Sequence, residues 1–326
     1  MTHPPTGPAE PPGPETAFVF APSPLLTITI ENGVDENPEI HLHAGGQGFW
    51  LARMLTILGI DTTMAGAFGG ETGFTLDRLI AAEKVRVRSS PCARPNGSYI
   101  HDRRSGDREP LVNVPPPTLT RHEVDELYTG ALAVGLDADV AALGGPDTLG
   151  VTAPESVPPD TYRRLAADLR AVEVPVVADL SGPPLDAALE GHVTVLKASH
   201  EDLVDDGRAD SEEPAALVKA MRAMAEQGAE AVVISRAGDP TLALVDGDVL
   251  EIEPPPLQLA DHRGAGDSMT AGIAAALARG ADLVDALRLG AAAGALNVTR
   301  RGLATGQRDV IERLAKRVDV RRAEEG

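Results

Sequence analysis

The chain has 326 residues, 43% of them hydrophobic and 3% aromatic, and a formal net charge of −20. That length accommodates one large α/β domain or two ordinary ones, and the acidity, with basic runs no longer than pairs such as Arg103-Arg104, excludes an ordinary nucleic-acid binder. The single cysteine, Cys92, excludes an intrachain disulfide and a cysteine metal cluster; no apolar stretch reaches the about 18 residues of a membrane span, and no basic-then-apolar leader opens the chain, so the expected location is the cytoplasm.

Residues 1–16, MTHPPTGPAEPPGPET, are rich in proline and nearly devoid of apolar side chains, which predicts an extended tail. The folded part is expected to begin near Ala17. LLTITI (25–30) reads as a short strand. In AGGQGFWLARMLTILG (44–59), Trp50, Leu51, Met54, Leu55 and Leu58 recur at helical spacing and Gly59 is a stop. TTMAGAFGG (62–70) reads as a buried strand entering a loop, and 72–83 as a helix. Between 84 and 114 the pattern alternates in strand fashion, with RRSGD as a turn. Beyond it, helices near 120–134, 160–171 and 213–227 alternate with strands near 138–143, 174–180, 193–197 and 230–235. A hairpin over 241–253 turns at Asp246-Gly247, and three helices, 266–279, 282–296 and 308–317, complete the chain. Regular βα alternation predicts a doubly wound, mostly parallel sheet with helices on both faces. Ligands of such sheets bind at the carboxyl ends of the strands. The glycine-rich stretches 44–48, 69–73, 144–145 and 264–266 are expected to gather on that rim.

The most informative stretch is DHRGAGDSMTAG (261–272). Met269, Ile273 and Leu277 follow at helical spacing, so Gly264, Ala265, Gly266 and Asp267 form a helix start. Its unbonded N–H groups and positive dipole end suit an anion. Small residues let backbone approach a phosphate. An acid on the first turn could take a proton from an attacking hydroxyl. By itself the tetrad reads first as a capped helix, and only its context favours an anion site. Neither a Walker G-x-x-x-x-G-K-S/T nor a G-x-G-x-x-G after the first strand is present, which leaves phosphoryl transfer without a P-loop.

GAGDSMTAG (264–272) resembles the C-terminal signature of the PfkB, ribokinase-like carbohydrate kinases. GGQGFWLARMLTILG (45–59) resembles that family's N-terminal signature, and the order of segments is similar to the 1-phosphofructokinase and tagatose-6-phosphate kinase branch from about residue 27 to 317. The resemblance implies an ATP- and Mg²⁺-dependent kinase, with residues 17–326 as one domain and any lid drawn from about 31–44 and 84–114. It implies Asp267 as catalytic base and the Gly264, Ala265 and Gly266 amides as anion hole. On the substrate side it implies Asp35, Gly45, Gly46 and Arg94, with Gln47 and Trp50 at positions where the family carries lysine and asparagine. Around the nucleotide it implies Lys197, Ser199, Ser235, Ala237, Gly238, Arg263 and Asn297. Asp202 is the candidate for magnesium or its water. Loss of the lysine at Gln47 removes a point charge aimed at a substrate phosphate, and Trp50 equally fits core packing. The short segment between Asp35 and Gly45 predicts a reduced or absent lid, which leaves homodimerisation through it open. His41 and His43 alternate with Leu42 as on a strand. The expected partner is a sugar or sugar phosphate, with no nucleic acid and no membrane. Two alternatives stand beside this reading: a catalytically impaired binding or regulatory protein, and a kinase for a nucleoside or other non-sugar alcohol.

Overall fold

The computed structural model describes residues 13–145, 155–261, 263–300 and 302–323. Residues 1–12, most of the expected tail, and His262 lie outside the described residues. The first strand, β1 (Thr16–Phe20), shows how the fold is built. Its side chains alternate: Ala17 and Val19 enter one core, Phe18 and Phe20 the other. A strand buried on both faces is what a parallel sheet covered by helices requires.

The remaining elements follow in chain order: β2 (Leu25–Asn32), β3 (Pro38–Gly45), α1 (Gln47–Ile57), β4 (Asp61–Phe68), α2 (Gly70–Ala82), β5 (Arg86–Pro91), β6 (Ser98–Asp102), β7 (Glu109–Val114) and α3 (Arg121–Gly135). Next come β8 (Val140–Gly144), α4 (Asp160–Ala171), β9 (Val176–Asp179), α5 (Gly182–Glu190), β10 (Val193–Ser199), α6 (His200–Asp205) and α7 (Pro214–Gln227). The chain closes with β11 (Ala229–Arg236), β12 (Asp239–Val245), β13 (Asp248–Glu253), α8 (Ala265–Ala278), α9 (Leu283–Asn297), α10 (Arg308–Ala315) and β14 (Asp319–Arg322).

The main sheet has ten strands in the order β14-β13-β12-β11-β10-β9-β8-β1-β4-β5. It is parallel from β11 to β5, and β12, β13 and β14 add antiparallel at one edge. Residues of α1, α2, α8, α9 and α10 fill the core on one face, and those of α3, α4, α5 and α7 fill the other. Short side chains such as Ala271, Ala274 and Ala275 on α8 and Ala291 to Ala293 on α9 let these two helices pack closely. The doubly wound, mostly parallel sheet is thus as expected. The strand ends at Phe68, Gly144, Asp179, Ser199 and Arg236 share one rim with the start of α8.

The lid is where the structure departs from expectation. A second sheet of four strands, β3-β2-β6-β7, is present. The expectation of a reduced or absent lid assumed that any lid strand lies between Asp35 and Gly45. In fact LLTITI begins β2, so the chain enters the lid at Leu25, directly after β1. The register aligns Leu42, Ile28, Ile100 and Val112 in one row across the sheet. It aligns His41, Thr29 and His101 in another. Residues in neighbouring rows point to opposite faces. Thr29 and His101 are buried, whereas Leu42 and Val112 are exposed, so the polar face looks inward and the apolar face outward. Also unforeseen were α5, α6 and the edge strand β14.

Candidate active site

The start of α8 is set by Gly264, which adopts left-handed backbone (φ 71°, ψ 7°) and caps the helix without any side-chain hydrogen bond. An L side chain there would be strained. The Ser268 amide donates to the Gly264 carbonyl at 3.0 Å, the first hydrogen bond of this helix. The amides of Ala265 and Gly266 precede it, in the first turn, where helix N–H groups have no intrahelical acceptor. They form an anion cradle at the positive end of the helix dipole, with Asp267 on the same turn.

Lys197 closes this cradle from below. A Cβ on Gly266 would lie 2.5 Å from Lys197 Nζ, so only glycine lets the ammonium approach the turn so closely. Nζ donates to both oxygens of Asp179, at 3.2 and 3.3 Å. Thr270 Oγ1 donates to Asp179 Oδ2 at 2.7 Å. Burial opposes the charge on Lys197, yet the carboxylates of Asp179, Asp267 and Asp202 outweigh it and raise its pKa. The lysine is therefore a fixed cation beside the cradle. Asn297 sits behind the same turn, fully buried. Its Nδ2 donates to the Arg263 carbonyl at 2.6 Å and its Oδ1 accepts from the Thr305 amide at 3.3 Å. The Asn297 amide thus holds the turn that carries the anion cradle. The Arg263 side chain is exposed at the mouth of the cradle.

On the substrate side, Gly45 ends β3, and Gly46, with φ 99°, caps α1; both are buried. Gln47 does not reach for a ligand with its oxygen, because Oε1 accepts from the Gly145 amide at 2.6 Å. It ties the start of α1 to the loop leaving β8. Trp50 packs on the hydrophobic core, with its ring 5.0 Å from that of Phe49. Asp35 is not brought to the site. It lies in the β2–β3 turn at the lid tip, where it accepts from Asn37, seven residue pairs beyond Gly45 in the register. That separation is roughly 23 Å at the rise of a strand. The segment that leaves β1 for the cleft, Ala21 to Leu25, carries no carboxylate. Arg94 is exposed in the loop before β6, and its carbonyl accepts from Cys92 Sγ at 3.2 Å.

Ser199 and Asp202 cap α6 reciprocally. The Asp202 amide donates to Ser199 Oγ at 3.0 Å, and Ser199 N and Oγ donate to Asp202 Oδ2 at 3.3 and 2.6 Å. Both bonds to the Asp202 carboxylate use Oδ2, which leaves Oδ1 for a hydrated cation. Among the described residues no group of three or more His, Cys, Asp or Glu side chains forms a metal cage. Ser235 lies at the end of β11, its Oγ donating to the Ala198 carbonyl at 3.4 Å. Ala237 and Gly238 form the exposed turn between β11 and β12.

Sequence reasoning missed Asp179 and Thr270, which hold Lys197, and the inward lid residues Thr29, Tyr99 and His101. His101 Nε2 lies 3.1 Å from Thr29 Oγ1, and its ring stacks on Tyr99 at 5.1 Å. The alternation in SYIHD signals a strand but not the sheet it joins.

A family model described as pfkB family carbohydrate kinase matches residues 23–309. The 1-phosphofructokinase of Bacillus subtilis is 26% identical over 280 residues, covering 86% of this chain and 89% of that protein. The ATP-dependent 6-phosphofructokinase isozyme 2 of Mycobacterium tuberculosis is 30% identical over 272 residues, covering 82% of this chain and 78% of that protein. Among solved structures, phosphofructokinase-2 of Escherichia coli superposes with a TM-score of 0.76 at 23% identity, covering 93% of this chain and 99% of that one. The glycine-capped turn of α8, the lysine beneath it and the match along most of the sequence converge: the chain belongs to the PfkB family of carbohydrate kinases.

Proposed function

We propose that the protein transfers the γ-phosphoryl group of ATP to a hydroxyl of a sugar phosphate, within one kinase unit spanning residues 17–326. The observation that carries this reading is the α8 turn, where the amides of a helix start, the Asp267 carboxyl and the buried Lys197 ammonium come together. The acceptor oxygen forms a bond to the γ-phosphorus as the bond to the β–γ bridging oxygen breaks, and ADP leaves. Asp267 takes the hydroxyl proton, while the amides of Ala265 and Gly266 meet the charge on the transferring oxygens. Lys197 adds a fixed positive charge that needs no reorganisation. Asp202 Oδ1 would hold magnesium or its water, and the ion would supply charge neutralisation at the phosphates.

A phosphorylated acceptor fits the relatives, which are named as phosphofructokinases. Its identity differs from theirs in what must hold it, since Gln47 is bonded to Gly145 and no carboxylate lies between Ala21 and Leu25. The outward lid face, with Ile40, Leu42, Val112 and Val114 exposed, fits a second copy of this chain. Asp267→Asn is expected to lower turnover by roughly 10²- to 10⁴-fold in an ATP-coupled assay. Turnover within a few-fold of the parent would overturn the assignment of the base.

A second reading, a binding protein on the kinase fold, is favoured by the engagement of Gln47 and of Asp202 Oδ2. Single-turnover ATP consumption with fructose 1-phosphate, fructose 6-phosphate and a panel of sugars and nucleosides separates the two. Consumption with any phosphosugar supports the kinase, and tight nucleotide binding without consumption supports the second reading.

A further inference from the structure

Arg103 and Arg108 flank the turn between β6 and β7, on the side of the lid that carries His101. Arg263 immediately precedes the Gly264 cap of α8. Burial, then the Arg263 and Arg103 guanidiniums, lowers the pKa of Arg108, partly offset by Tyr99 and Asp261. After burial, the same three arginines are what press down the pKa of His101. The far end of the lid thus brings two cations to a third at the edge of the anion cradle.

This cluster is unusual in a chain that carries 49 acidic residues against 29 basic ones. Arg104, in the same turn, forms a bidentate pair with Asp102. The side chains of Arg103, Arg108 and Arg263 have no ion pair or hydrogen bond among the described residues; the bonds of Arg103 and Arg263 are made by their backbones, the Arg103 amide donating to the Ile30 carbonyl at 2.7 Å and the Arg263 amide to Asp261 Oδ1 at 3.1 Å. Among the described residues Arg108 Nε is enclosed without any acceptor, and Nδ1 of the wholly buried His101 has no hydrogen-bond partner. An enclosed donor without an acceptor, as at Arg108 Nε, and adjacent like charges both cost stability. A multiply charged oxyanion would remove both costs, and planar guanidinium forks match phosphate oxygens.

We propose that Arg103, Arg108 and Arg263 form an oxyanion site, closed by the lid against the α8 turn, that binds a phosphate group of a substrate. Its two sources are the transferring phosphoryl group of the nucleotide and the phosphate of the acceptor. The site supplies positive charge that the bonded Gln47 does not. It rests on the kinase reading only for the name of the phosphate donor or acceptor, because the unpaired cluster is a property of the fold itself.

The test is calorimetric binding by the full chain at fixed ionic strength, with inorganic phosphate, ATP–magnesium and fructose 6-phosphate as separate probes. Arg108→Ala and Arg263→Ala are expected to weaken inorganic phosphate and one of the two substrates by about 10- to 100-fold. Weakening of ATP assigns the site to the transferring group; weakening of fructose 6-phosphate assigns it to the acceptor. Arg108→Lys, which keeps the charge but loses the fork, is expected to recover part of the affinity. Arg104→Ala, outside the cluster, should bind all probes as the parent does. Unchanged affinity for every probe in both alanine variants, with an unchanged thermal midpoint, would overturn the site, as would an equal loss in Arg104→Ala. These readouts need no turnover, so failure of Asp267→Asn to slow the enzyme would leave them standing.

Discussion

Lys197 Nζ lies 3.2 Å from Asp179 Oδ1, with the two side chains only 7% and 6% exposed. A pair this deep gains little over apolar packing, but removing one partner strands a buried charge at about 3–5 kcal/mol. Lys197→Met is therefore expected to lower the urea midpoint markedly and to reduce turnover. Adding Asp179→Leu should restore much of the midpoint while leaving turnover low, since the cation beside Gly266 is still missing. A double variant as unstable as the single one would contradict this account of the pair.

Gln47 bridges the start of α1 to Gly145. Gln47→Leu leaves the Gly145 amide without its acceptor, which costs about 1–3 kcal/mol. The expected signature is a lower thermal midpoint, with the KM for a phosphosugar within a few-fold of the parent. A large rise in KM at unchanged stability would return Gln47 to the substrate contacts that its place in the N-terminal signature implies.

The contrast between Asp267 and Asp35 shows what the sequence made legible. Asp267 is placed by three local features: two glycines, an alanine and the helix after them, so its position on a first turn follows without knowing the rest of the fold. Asp35 depended on which strand came first. β1 begins at Thr16, at the end of a proline-rich stretch, and β2 reads as an equally good opening strand. Counting from β2 placed Asp35 near the cleft and shortened the lid, and both errors share that origin. The lysine web was illegible for another reason. Asp179, Lys197 and Thr270 lie on three elements, and only the parallel register of β9 with β10 brings the first two together.

His101 gives the fold a pH dependence. Burial, then Arg108, Arg103, Arg263 and His43, lowers its pKa from 6.5 to about 4. Between those values the unfolded chain binds a proton that the native state does not. Stability therefore falls as pH drops from about 6.5 toward 4, and is insensitive to this group above that window. With allowance for solvent screening the effect is about 1–2 kcal/mol. His101→Gln should flatten the dependence of the urea midpoint on pH relative to the parent, and parallel curves for the two proteins would exclude this role.

In the lid row Leu42, Ile28, Ile100 and Val112, Ile28 packs on the core while Leu42 and Val112 face outward, each more than two-fifths exposed. Leu42→Glu combined with Val112→Glu places charges on that face without touching the inward row of Thr29 and His101. Sedimentation velocity is expected to show association of the parent chain and a monomer in the double variant. A parent that stays monomeric across the micromolar range would exclude the lid as a contact between copies.

Gly266→Ala sets two effects against each other. Replacing glycine by alanine within a helix ordinarily adds about 0.5–1 kcal/mol of stability. Here the new methyl would stand 2.5 Å from Lys197 Nζ. An ammonium at the end of a long side chain can usually step aside, but this one is buried and bonded to both oxygens of Asp179. Moving it breaks that pair, and moving the helix turn displaces the amides above it. The clash is therefore expected to win, with a lowered thermal midpoint and turnover reduced by about 10- to 100-fold, in line with the loss of one preorganised donor. Gly266→Ala combined with Lys197→Met removes the clash, so its midpoint should rise above that of Lys197→Met alone by the ordinary helix gain. A single variant that is both more stable and fully active would show that Lys197 does not lie against the turn.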